Sequence, residues 1–94
     1  MTSTKAVTTS GVATFGSCNA QNQRLFRLNA GVSAHEALEH ASLLMASANK
    51  LTLLGGLDED NCTMVWAAHY LGDMAKAIID DVTVGLQSAQ EGSD

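Results

Sequence analysis

Ser33-Ala-His-Glu-Ala-Leu-Glu-His-Ala-Ser-Leu-Leu-Met-Ala-Ser-Ala-Asn-Lys-Leu-Thr-Leu-Leu54 returns its apolar residues at the spacing of an α-helix. At about 100° per residue, Ala37, Ala41, Leu44, Ala48 and Leu51 form one stripe flanked by Leu38 and Met45. Glu36, Glu39, Ser42, Asn49 and Lys50 fall elsewhere. Ser33-Ala-His-Glu36 reads as a capping box, in which the Ser33 hydroxyl accepts from the Glu36 amide and the Glu36 carboxylate reaches back to the Ser33 amide. Gly55-Gly56 reads as the stop, because glycine takes the left-handed C-cap geometry at little cost.

A second helix is expected over Asp58–Leu86, opened by the capping and dipole-compatible run Asp58-Glu-Asp-Asn61 and ended near Gly85. Val65, Ala68, Gly72, Ala75, Ile79, Val82 and Leu86 form its seam, with Met64, Ala67, Leu71, Met74 and Ile78 beside it. Together they cover about half the circumference, more than one partner helix requires. Small residues on the seam, above all Gly72 in mid-helix, predict a close crossing, since an interior glycine costs ~1 kcal/mol against alanine. Trp66 and Tyr70 fall four apart on the outer side with Asp73, Ala77 and Asp81, and Asp80-Asp81 reads as solvated surface.

Outside the helices, Arg24-Leu-Phe-Arg-Leu-Asn29 alternates like a short strand or extended arm. Leu25 to Leu28 is the apolar segment best placed to cover Trp66 and Tyr70, in its own subunit or in a mate. The expected organisation is a flexible polar arm over 1–24, a helical hairpin domain over 25–87 and an acidic disordered tail over 88–94. Roughly 60–65 residues are then left to pack, fewer than a single core usually needs without help. Cys18 and Cys62 make neither a disulfide framework nor a metal knuckle. Oligomerisation remains, so the expected fold is all-α: a two-helix antiparallel hairpin that dimerises into a four-helix bundle, with a short extended N-terminal arm.

Five Lys and Arg against ten Asp and Glu leave a net charge of −5, and the cations form no stripe. That disfavours nucleic acid and anionic membranes as partners. No apolar run approaches the ~20 residues of a membrane span, and no signal peptide is visible, so a cytoplasmic location is expected. His35-Glu-Ala-Leu-Glu-His40 approaches a zinc motif, but its histidines are five apart and diverge on a helix. His35/Glu39, Glu36/His40, His69/Asp73 and Lys76/Asp80 are spaced instead as surface pairs. No nucleophile, phosphate loop or paired acid–base motif accompanies them, and no catalytic residue, cofactor or metal is expected. Cys62 and the helical Met residues read as core filling.

Leu25-Phe-Arg-Leu-Asn-Ala-Gly-Val-Ser33, Glu36-Ala-Leu-Glu-His-Ala-Ser-Leu-Leu44 and Tyr70-Leu-Gly-Asp-Met-Ala-Lys-Ala77 carry a resemblance. From about Leu25 to Leu86 the chain resembles a family of small pseudomonad proteins classified only as a domain of unknown function. The resemblance implies a bacterial cytoplasmic helical protein and brings no functional residues with it. The residues themselves point to a non-enzymatic protein-interaction module, a regulator or adaptor with an unidentified protein partner. The alternative is a bundle that binds a small ligand or metal through His40, His69 or carboxylates and has an enzymatic role.

Overall fold

The computed structural model describes residues 7–57 and 62–91, and the expected cap Asp58–Asn61 lies outside them. Four elements follow in order: β1 (Thr14–Ser17), β2 (Arg24–Arg27), α1 (Ala34–Leu57) and α2 (Cys62–Glu91). The helices hold 24 and 30 residues, about 36 and 45 Å of rise. They pack against each other, and β1 packs on α2. The fold is therefore mostly helical with a small antiparallel sheet, not all-α.

The helix contact follows alternating steps of four and three residues. On α1 the stripe is Ala37, Ala41, Leu44, Ala48, Leu51 and Gly55; on α2 it is Met64, Ala68, Leu71, Ala75, Ile78, Val82 and Gly85. That average of 3.5 keeps one face of each helix against the other along its length. The α1 stripe is the expected one. The α2 stripe takes Ala68, Ala75 and Val82 from the expected seam, whereas Val65, Ile79 and Leu86 are exposed. Gly72 does not mark a close crossing within the chain, for a Cβ there would meet nothing within 4 Å.

Glycine serves close approach elsewhere. Gly55 and Gly56 do not end α1, which runs on to Leu57. Gly55 is buried at the hairpin's closed end, where a Cβ would lie 3.1 Å from Val65 Cγ2 and 3.5 Å from the Met64 Cβ. Gly85 does not end α2 either: the helix continues to Glu91, so residues 88–91 of the expected tail are helical. At Gly85 a Cβ would overlap the carbonyl oxygen of Thr8, which places the arm directly on the helix backbone.

The arm is built into the fold. Thr8 pairs with Ser33 in an antiparallel bridge, Thr9 N–H donates to the Val32 carbonyl (2.8 Å) and Ala34 N–H donates to the Val7 carbonyl (2.9 Å). The first amide of α1 is thus satisfied by the main chain of residue 7, and no side-chain bond joins Ser33 and Glu36. Thr9 is buried; its hydroxyl donates to the Asn29 carbonyl (2.6 Å) and accepts from Val32 N–H (3.0 Å). Thr9→Val should cost about 1–2 kcal/mol by orphaning both groups, read in urea melts. Lys76→Ala, on the exposed surface, is the control. β1 and β2 pair with Phe15 opposite Phe26, whose rings stack 5.3 Å apart, over a turn in which Asn22 takes φ 59°.

Among the described residues the buried hydrophobic side chains are Ala37, Ala41, Ala48, Ala68, Ala75, Ala77 and Val82. None is larger than valine. The helices approach closely, but each contact removes little apolar area from water, and apolar burial contributes roughly 25 cal/mol per Å². Leu44, Leu51, Met64, Leu71 and Ile78 on the same stripes are half-buried, and many of the other large hydrophobic residues are exposed.

Candidate functional site

Thr9 and Asp81 are the buried polar side chains among the described residues, and Asp81 is 0 % exposed. The sequence places Asp81 on the surface beside Asp80; the fold separates the two. Asp80 points outward to Lys76, with Oδ2 2.7 Å from Nζ. Asp81 points under the arm and accepts four hydrogen bonds. Ser10 N–H (2.6 Å) and Gly11 N–H (3.0 Å) donate to Oδ2; Ala13 N–H (2.8 Å) and the Ser10 hydroxyl (3.1 Å) donate to Oδ1. Gly11 has φ 80°, the left-handed backbone that turns successive amides toward one point and makes an anion-holding nest. Here the anion belongs to the chain itself.

Burial pushes the Asp81 carboxyl up, but the amides of Ala13 and Gly11 and the hydroxyl and amide of Ser10 outweigh it and hold it below its ordinary 3.8. A perturbed carboxyl often marks chemistry. This one has no exposed surface to offer a substrate, and its lone pairs are engaged by the arm. Its role is to fasten residues 10–13 to α2. The trace of it in the sequence is the turn dipeptide Ser10-Gly11 in a polar stretch. Nothing local ties that dipeptide to a carboxylate 70 residues away.

The outer aromatic pair stands as the sequence places it, four apart on α2, and the Leu25–Leu28 segment of its own chain does not cover it. Trp66 is 61 % exposed and Tyr70 47 %. Leu25 is 67 % exposed and Phe26 48 %. The strands meet α2 further along, where a shallow groove is lined by Phe15, Arg24, Asp73, Lys76, Ala77 and Asp80. One chain therefore leaves both apolar surfaces in water. His69 joins the aromatic patch, edge-on to Trp66 at 5.9 Å and 6.2 Å from the Tyr70 ring, with Nε2 3.6 Å from Asp73 Oδ2. Val65, Trp66 and His69 line an open apolar depression.

The remaining chemistry-bearing side chains stay apart. His35 Nε2 lies 2.6 Å from Glu39 Oε1 on an exposed turn, as its spacing implies. Glu36 and His40 do not bond, and both border an open depression beside Val32 and Leu43. Among the described residues no three His, Cys, Asp or Glu converge on a point. Cys18 is an exposed free thiol in the strand turn, and the side chain of Cys62 lies outside the described set. No described helix is long and apolar enough to cross a membrane.

Fold and site define a small helical hairpin whose N-terminal segment is fastened by an internal carboxylate and many of whose large apolar side chains face outward. The family model described as "Protein of unknown function (DUF3077)" matches residues 9–85, and the chain belongs to that family. The match starts 16 residues before Leu25 and takes in Ser10, Gly11, Ala13 and Asp81 together. No curated protein and no solved structure matches the chain.

Proposed function

We propose that this chain is a non-enzymatic protein-interaction module, a small regulator or adaptor. In this reading two hairpins associate as a four-helix bundle, and Trp66 and Tyr70 meet a protein partner. The observation that carries it is the distribution of apolar size: the buried hydrophobic side chains among the described residues are alanines and one valine, while Trp66, Tyr70 and several large aliphatic side chains, among them Leu43, Leu53, Val65 and Ile79, are exposed. Aromatic residues of this kind anchor protein interfaces, because each offers a large contact area with few torsions to freeze. The exposed free thiol of Cys18 suits a reducing compartment, in keeping with the cytoplasm. The rival, a ligand or metal site within the bundle, needs inward-facing donors. His69 lies on the outer face of α2, and His40 borders the arm.

Affinity purification of the tagged chain from its native host tests the reading, comparing wild type with the Trp66→Ser/Tyr70→Ser variant. The wild type should recover one reproducible partner that the variant loses. Equal recovery by both would contradict a role for the aromatic pair. Stoichiometric metal in the purified protein would favour the rival.

A further inference from the structure

On α2 one flank of the helix contact carries Ala77 and Asp81, which β1 and the arm cover. The other flank carries Val65, Gly72, Ile79 and Leu86, seven residues apart. The matching flank of α1 carries Leu38, Met45 and Thr52, also seven apart. Because the helices run in opposite directions, the residues one step after the Leu44 and Leu71 positions emerge on the same side of the hairpin. Leu38, Met45, Val65, Ile79 and Leu86 are each between 43 % and 52 % exposed, and among the described residues nothing lies within 4 Å of where a Cβ at Gly72 would sit.

We propose that this face receives a second copy of the same chain, related by a two-fold axis, and that it is the seam of the four-helix bundle. The inference rests on the dimeric reading above and adds the face.

Three observations select a copy over another occupant. The first is charge. The chain carries −5, so two copies repel unless they meet where charge is absent, and none of the seven flank residues is charged. Glu36, Glu39, Lys50, Asp73, Lys76 and Asp80 all lie off this face.

The second is area. Leu38 and Met45 on α1 and Val65, Ile79 and Leu86 on α2 keep 43–52 % of their surface in water, apolar area that a second copy would cover on both sides of the axis.

The third is shape. The Cα atoms span 56 × 32 × 14 Å, a slab one helix thick. A flat two-helix face is matched by another two-helix face, with the same heptad spacing on both sides. Gly72, midway between Val65 and Ile79, leaves a notch that a side chain of the mate can enter. That accounts for a glycine which its own chain does not require in mid-helix.

Light scattering coupled to size exclusion tests this on the full chain at micromolar concentration, with circular dichroism to follow helicity. Wild type and Trp66→Ser should both give about twice 9.8 kDa. Ile79→Glu and Met45→Glu, one on each helix, should give the monomer mass with helicity retained. If either glutamate variant loses its helicity, Ile79→Ala decides: it should raise the dimer dissociation constant by about tenfold or more. A wild-type dimer that all three variants leave intact would overturn this face while leaving dimerisation standing. A wild-type monomer would overturn both.

Discussion

Asp81→Ala is expected to lower stability by about 3–5 kcal/mol, while Asp80→Ala, one residue away, stays within about 0.5 kcal/mol of wild type. The contrast follows from where the two carboxylates end up. Asp80 faces water and holds Lys76 in an exposed pair. Asp81 is enclosed and is the acceptor for three main-chain amides and one hydroxyl. Bonds to an ionised acceptor contribute ~1.5–3 kcal/mol each, and they do not add fully, because water and a relaxed arm recover part of the loss. Urea melts of the two variants measure the difference. Equal midpoints would show that the arm is not fastened through Asp81.

The same carboxylate sets an acid dependence. Its pKa in the fold lies below 3.8, so the unfolded chain binds the proton more readily. The stabilisation is therefore complete above the unfolded value and is lost as pH falls through the folded one. The wild type should lose stability progressively below about pH 4. Asp81→Asn, which has no carboxyl to titrate, should start lower and show a flatter response in that window.

Gly85→Val should cost the upper part of the ~1–3 kcal/mol typical of overpacked contacts. Helix propensity alone argues the other way, since glycine is the poorer helix former by several tenths of a kcal/mol. Steric overlap decides. A Cβ at 85 would meet the Thr8 carbonyl oxygen, and a main-chain carbonyl cannot rotate aside as a long side chain does. The segment has to lift off α2, which pulls Ser10 and Gly11 from Asp81. Asp81→Ala and Gly85→Val thus release the same segment. The double variant should lose less than the sum of the singles, a coupling that thermal or urea melts of all four proteins can read. A Gly85→Val protein more stable than wild type would show that the arm does not rest on the helix.

The helices were legible because a period held for more than twenty residues survives local noise. Their ends were not. Gly55-Gly56 and Gly85 carry the letters of a C-cap, but a glycine that admits a neighbouring backbone is spelled the same way, and only the packing tells them apart. The seam of α2 was legible as apolar without being divisible. Ala68, Ala75 and Val82 face α1 while Val65, Ile79 and Leu86 face outward, and hydropathy cannot separate two adjoining apolar stripes. β1 was hidden by Gly16, whose φ of 75° and contact with the Phe26 ring are invisible in a strand pattern. The Asp81 clamp joins residues 68 to 71 apart in the chain. The Ser10-Gly11 turn is its local mark, and a polar segment reads the same in sequence whether it is loose or fastened.

Amide hydrogen exchange on the full chain, read residue by residue by NMR, tests most directly whether the N-terminal segment is part of the fold. Closing by Asp81 predicts that the amides of Ser10, Gly11 and Ala13 exchange slowly, with protection close to that of Ala75 and Val82 in the middle of α2. Exchange at the rate of an unstructured peptide at those three positions, with α2 still protected, would contradict the account.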